Sequence, residues 1–289
     1  MITWLLGIEE ALAWGPATHL SVSLSALNRL PSIDPGLYIF LSKYLYDYLY
    51  GCLSSDIIMG KRFISYKKNC HNWQVGMALL KEATTPGQRA FAYGYLTHLA
   101  ADTVSHNSYI PSQIILAFST HTLRHTYWEM RFDAMMDKEM WQLTKSILRQ
   151  ARRRNNPLLM DVLPTHPLSF KTGEKIFNGY LLLGRLERWQ RLIRFYSSKS
   201  RWSLPPGLVE DYHRRATQVA VDILTQGEGA PCLSLDPMGR ESLSWAKNLR
   251  RQLRSALKGK RPPASPTSSP LSDPGLFLPP PPSGEGETL

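Results

Sequence analysis

The chain of 289 residues holds only three cysteines, and Cys52, Cys70 and Cys232 have neither the spacing of a zinc ribbon nor the density of a disulfide scaffold. At most one bridge can form, and buried free thiols are the expected state. Long apolar runs are also missing, since no stretch approaches the roughly 18 uninterrupted apolar residues of a membrane-spanning helix. Alternating apolar and polar runs of the β type are absent, and so are internal repeats. Acidic residues are scarce relative to basic ones, 23 against 34, which leaves a formal net charge of +11. That balance points to an anionic partner, either nucleic acid or a lipid headgroup surface.

What is present is helical periodicity. With 43% hydrophobic residues the chain can bury a sizeable core. The spacing predicts helices over 37–50 (ended by Gly51), 73–83 and 88–107, one or two helices within 112–150, and further helices at 174–196, 208–226 and 239–257. An all-α, multi-helical domain follows. From Gly259 onward the chain is rich in Pro, Ser and Gly, with too little apolar periodicity to fold. Four stretches result: 1–13, an N-terminal apolar segment; 14–135, a helical core; 136–257, a basic helical region that completes the domain; and 258–289, a disordered tail.

The N-terminal segment ends in Ala11-Leu12-Ala13, which resembles the small-x-small site of a signal peptide. It has no Lys or Arg before the apolar run, and Glu9 and Glu10 interrupt it. Cleavage there would make the protein exported, periplasmic or secreted. Retention would leave it cytoplasmic or membrane-associated. The basic stretches 149–156, 184–195, 213–216 and 250–254 alternate cations with apolar residues at helical spacing. They are solvated helix faces with snorkelling arginines, or a face for anionic lipid.

One stretch concentrates chemistry. "AFAYGYLTHLAADTVSHNSYIP" places His98, Asp102 and His106 four residues apart, on one face of a helix. A histidine on an apolar helix face is ordinarily a core residue with one hydrogen-bond partner. Four helical residues rise about 6 Å, so His98 and His106 stand about 12 Å apart along the axis. Zinc bonds of about 2 Å cannot comfortably span that gap. A metal site here holds two or more ions, with Asp102 between them.

Six of the eight histidines fall between residues 19 and 125. His19, Asp56, His71, His125 and Glu129 join the three already named as candidate ligands, more than one tetrahedral ion can use. His125 and Glu129 share a helix face, and His106 can reach the same ion. His121, one turn earlier, is a fourth ligand, an outer hydrogen-bond donor or a surface histidine. Arg131 and Asp133 read as an ion pair, or Asp133 as a carboxylate orienting a ligating histidine. Trp73 and Trp128 are core residues or stacking platforms.

The order Trp14-Gly15, His19, Asp56, His71, His98-x3-Asp102, His106, His125-x3-Glu129 resembles the zinc-dependent phospholipase C family, related to the S1/P1 nucleases. The resemblance runs from Trp14 to about Asp133. It implies an all-helical domain with three zinc ions in a cleft. Asp56, His71, His98 and Asp102 would hold the first. His106, His125 and Glu129 would hold the second. The third would take His19, Asp102 as a bridge, and the free α-amino group and carbonyl of an N-terminal Trp14. Without cleavage after Ala13 that nitrogen is an amide, and two ions are the expected count. The pattern departs from the family at His106, which follows Asp102 by four residues where secreted members have six. The basic region after residue 140 has no counterpart in the motif.

The implied activity is phosphodiester hydrolysis by in-line attack of a zinc-activated hydroxide on a phospholipid phosphate, with Asp56 as ligand or general base. Glu129 favours the phospholipase, because the nuclease relatives usually have Asp there. A zinc nuclease acting on single-stranded nucleic acid is the second expectation. A non-catalytic, metal-stabilised protein that binds membrane or a partner through its basic helices is the third.

Overall fold

The computed structural model of the protein describes residues 14–56, 70–118, 125–163, 167–184, 191, 195, 200, 202 and 204–256. Among them the regular structure is helical throughout, as expected of an all-α fold. Helix α1 (Pro16–Arg29) leads through a 3-10 turn into α2 (Pro35–Lys43) and α3 (Leu45–Ser54). Helices α4 (Trp73–Glu82) and α5 (Pro86–Val104) follow, and a π-helical turn, Ser105–Tyr109, joins α5 to α6 (Ile110–Leu116). Then come α7 (His125–Asp133), α8 (Lys138–Val162), α9 (Pro167–Gly184), α10 (Pro206–Gln226) and α11 (Arg240–Ala256).

Helix α5 is the spine, packed by α1, α3, α4 and α10. Its start is set by a capping box: Thr85 Oγ1 accepts from the Gln88 N–H, the Gln88 side chain reaches back to the Thr85 N–H, and Pro86 opens the first turn. Two glycines bring α3 and α5 almost into backbone contact. A Cβ on Gly51 would lie 1.9 Å from Phe91 O, and one on Gly94 would lie 1.8 Å from Tyr48 O. Any larger residue would push the helices apart. Buried side chains from Trp14 to Ala246 make one continuous apolar cluster, in which Trp128 is buried and Trp73 partly so.

Several sequence expectations change. The helix expected over 37–50 is two helices broken at Tyr44, and Gly51 lies inside α3 rather than ending it. The close approach of α5 is the reason glycine sits there. The 112–150 region contributes to three helices, and α1 was not anticipated, although Pro16 marks its first turn. Helix α9 begins at Pro167, earlier than the expected start at 174, and of the rest of the expected 174–196 span the described residues 191 and 195 are helical. The expectations for residues 1–13, for His121, for most of 185–203 and for the 258–289 tail lie outside the described residues.

No helix among the described residues is long and apolar enough to cross a membrane. On α8, Arg149, Arg153 and Arg154 are exposed, and Arg154 also pairs with the fully buried Asp47 of α3, which Asn155 contacts at 2.6 Å.

Candidate metal centre

Helix α5 presents His98 and Asp102 one turn apart, both fully buried. Around them gather side chains from three other segments: His19 from α1, Asp56 just beyond α3, and His71 just before α4. Asp102 Oδ2 lies 3.1 Å from His98 Nε2 and 3.3 Å from His71 Nε2, and its Oδ1 lies 3.2 Å from His19 Nε2. Asp56 Oδ1 is 3.2 Å from His71 Nε2 and 4.0 Å from His98 Nε2. Donor atoms of Asp56, His71 and His98 all lie within 4.8 Å of one another. His71 is held by its surroundings. Asn72 caps α4 through the Gln74 N–H at 2.6 Å, and Tyr95 of α5 donates its hydroxyl to Cys70 O at 2.5 Å.

His106 belongs to a second group. At Ser105 the hydrogen bonding changes, so that the Ile110 N–H bonds to Ser105 O, five residues back. A π-turn takes more residues per revolution than an α-turn, which swings His106 off the line set by His98 and Asp102. It meets His125 and Glu129 from α7, with Glu129 Oε1 2.7 Å from His125 Nε2 and 3.7 Å from His106 Nε2. Donor atoms of these three also lie within 4.8 Å of one another.

Backbone carbonyls orient two of the imidazoles. His98 Nδ1 is 2.7 Å from Cys52 O, and His106 Nδ1 is 2.6 Å from Pro237 O. A carbonyl only accepts, so each Nδ1 carries a proton, and Nε2, facing the carboxylates, is the nitrogen left for a cation. That is the arrangement a metal ligand needs.

The electrostatics call for a cation. Asp102 is buried with neither oxygen in an aligned hydrogen bond, and the same holds for both oxygens of Glu129 and both ring nitrogens of His19. Burying a carboxylate in this way is costly unless positive charge is near. Burial opposes the charge of Asp102, but His98 and His19 hold its pKa well below the usual carboxylate range. Burial likewise opposes a proton on His98, and Asp102 with Asp56 outweighs it, so that ring is held well above an ordinary histidine. At His19, burial and the neighbouring His98 win and lower the value. Glu129 is pushed up to about 8, first by burial and then by the charges of Asp102 and Asp56 against the counteracting His106. Unaligned buried oxygens, imidazole Nε2 atoms converging on them, and a nitrogen and oxygen donor set all fit zinc.

Other residues brace the centre. The Trp14 ring is fully buried and stacks on Phe132 at 4.8 Å. Asp133 accepts from Thr18, and Arg131 donates to Trp202 O at 2.8 Å, so the ion pair expected between them gives way to two separate anchors. Cys52 Sγ lies close to His19 and His98 but accepts from Ser23 Oγ at 2.8 Å and approaches His19 O at 3.3 Å. All three cysteines are buried, and none forms a disulfide among the described residues. The carbonyls of Cys52 and Pro237 were missed from sequence, because no side-chain signal marks a carbonyl.

Histidines and carboxylates drawn from five segments of an all-helical chain into a buried cluster define a helical protein with groups suited to divalent metal ions. Residues 18–168 match the family described as zinc dependent phospholipase C, and the chain belongs to that family. No curated protein and no solved structure matches it. Membership supports phosphodiester hydrolysis as the enzyme class, and the matched span contains every candidate ligand except Trp14.

Proposed function

We propose that the protein is a zinc-dependent hydrolase that cleaves a phospholipid on the glycerol side of its phosphate. The observation that carries this is the pair of histidine–carboxylate groups, one built on α5 and one on the π-turn that follows it, inside a span matched to the phospholipase C family. Asp56, His71, His98 and Asp102 would hold one ion, and His106, His125 and Glu129 a second. His19 with Asp102 as a bridge would hold a third, completed by the α-amino group and carbonyl of Trp14 if the chain is cut after Ala13. In that case the enzyme is exported.

Bound zinc would lower the pKa of a coordinated water toward 7 and offset charge on the phosphoryl oxygens. The chain's own contribution is orientation and proton handling. Cys52 O and Pro237 O fix the Nδ1–H of His98 and His106, so that Nε2 is the nitrogen aimed inward at a cation. Asp102 compensates imidazoles on either side. Asp56, at the edge of the first group, is a ligand or the base that takes the proton of the attacking water. The basic face of α8 and α11 supports approach to an anionic membrane surface. The same charge supports a second reading, an S1/P1-like nuclease acting on single-stranded nucleic acid.

The test is zinc per purified full-length chain by elemental analysis, with the intact mass of the N-terminus, followed by hydrolysis of phosphatidylcholine vesicles and of single-stranded DNA. Two or three zinc ions and release of phosphorylated headgroup support the proposal. DNA cleavage without lipid cleavage turns it to the nuclease. A chain without zinc overturns both.

A further inference from the structure

The family match ends at residue 168, yet the segment Leu235–Gly239 lies directly on the turn that carries His106. Pro237 O accepts from His106 Nδ1 at 2.6 Å. The neighbouring Asn107 donates through Nδ2 to Asp236 O at 2.9 Å and accepts from Ser242 Oγ at 3.0 Å. At the other end of the segment, Trp73 Nε1, two residues from His71, donates to Leu235 O at 2.8 Å. Gly239 has a φ of +54°, and a Cβ there would lie 2.3 Å from His106 O and 2.6 Å from the His106 Cβ. Only glycine tolerates both the dihedral and the contact.

The segment also holds itself. Asp236 Oδ1 accepts from the Met238 N–H at 3.1 Å, and Oδ2 accepts from Arg240 Nε at 2.7 Å and from its N–H at 3.3 Å. The result is a closed turn in which the Pro237 carbonyl meets Nδ1 of His106 while the Asp236 carbonyl holds the neighbouring Asn107. His106 needs such a support. It sits in a π-turn, where regular i to i+4 bonding is interrupted, and its position relative to Asp102 departs from the spacing of secreted family members.

We infer that Asp236–Gly239 is a positioning turn for His106, fixing its tautomer and ring angle for the His106–His125–Glu129 metal group. This rests on the zinc reading above and assigns a role to chain beyond the family match. Outer hydrogen-bond partners of metal-bound histidines are commonly worth about 10–100-fold in metal affinity.

The experiment compares full-length wild type with Gly239→Ala, Asp236→Ala, Asp236→Asn and Gly227→Ala. Gly227 also has a positive φ, +55°, but nothing lies within 4 Å of its Cβ direction, so it reproduces the backbone strain without the His106 contact. Zinc per chain and zinc affinity are read for each, with the absorption spectrum of the cobalt(II)-substituted protein and helical circular dichroism. Gly239→Ala is expected to bind one class of zinc about 10–100-fold more weakly and to alter the cobalt spectrum, with Gly227→Ala like wild type. Asp236→Ala should weaken the same class, and Asp236→Asn should restore much of it, because its amide oxygen still accepts the Met238 N–H. Folded Gly239→Ala with unchanged affinity and spectrum would overturn the inference, as would equal losses in Gly227→Ala. If Gly239→Ala does not fold, the Asp236 pair decides: no loss in Asp236→Ala, or none recovered in Asp236→Asn, refutes it. Wild type that binds no zinc defeats the zinc reading itself, whereas wild type that binds zinc with every variant unchanged defeats the positioning turn alone.

Discussion

Asp133 Oδ1 accepts two hydrogen bonds from Thr18, one from its backbone N–H at 2.7 Å and one from its hydroxyl at 2.9 Å, across 115 residues of sequence. Helix α1 has Gly15 at its N-cap and no side-chain cap of its own. Asp133 therefore serves as a cap supplied by α7, and its carboxyl group occupies the space that a side chain on residue 15 would need. The contact ties the helix carrying His19 to the helix carrying Glu129.

Removing that cap should cost more than a surface change. Asp133→Ala is expected to destabilise the protein by about 1–2 kcal/mol through the lost cap. Asp133→Asn, which can still accept from Thr18, should recover most of it. Urea unfolding of the three proteins side by side gives the answer.

Asp102 and Asp56 should separate by role. Asp102→Asn removes the charge between three imidazoles and is expected to lower zinc content and hydrolysis together, by more than the roughly 10–100-fold typical of outer partners. Asp56→Asn that keeps its zinc but loses turnover marks a base; parallel loss of zinc marks a ligand. Elemental analysis and initial rates on the same preparations distinguish the two.

Without metal, stability should decline as the solution becomes more alkaline. Burial raises Glu129 from 4.5 to about 8 and Asp133 from 3.8 to about 7. Between the ordinary and raised values the folded chain holds protons that the unfolded chain has released, so folding weakens as pH rises. His98, held above 6.5, adds stability below that value and loses it as pH climbs through its own raised value, which is the same direction. His19 and His213, lowered first by burial, act oppositely as pH rises toward 6.5, and Asp102 acts oppositely in acid, below its ordinary 3.8. Melting temperatures of chelator-treated protein should therefore fall from about pH 6.5 to about pH 8. Zinc-loaded protein should show a shallower fall, because a bound cation lets Glu129 ionise.

Gly94→Ala should be among the most damaging small substitutions in the chain. Its methyl group would meet Tyr48 O at 1.8 Å, backbone against backbone. The expected cost is at or above the roughly 1–3 kcal/mol of core overpacking, and parting α3 from α5 would draw Cys52 O away from His98. Thermal unfolding and zinc content should fall together.

Much of the centre was legible because helical periodicity is local. His98 with Asp102 and His125 with Glu129 declare themselves by a four-residue spacing, and the axial rise separates His106 from His98 into different groups. The π-turn at Ser105 carries no such mark, since neither Gly nor Pro announces it. Gly51 misled as a helix end because its reason for being glycine is Phe91 O, forty residues away in sequence. Thr18 with Asp133, and His106 with Pro237, are long-range pairings that periodicity does not encode.

The Pro237 carbonyl has a consequence for assembly. All the candidate ligands, from Trp14 to Glu129, are synthesised more than a hundred residues before the turn that orients His106, and a nascent chain lengthens from its N-terminus. A partly made chain thus owns the donor atoms but lacks the last acceptor that aims one of them. The Asp236–Gly239 turn would then act as a seal of completion, so that the proposed metal group around His106 gains its last support only after the chain has been made past Gly239.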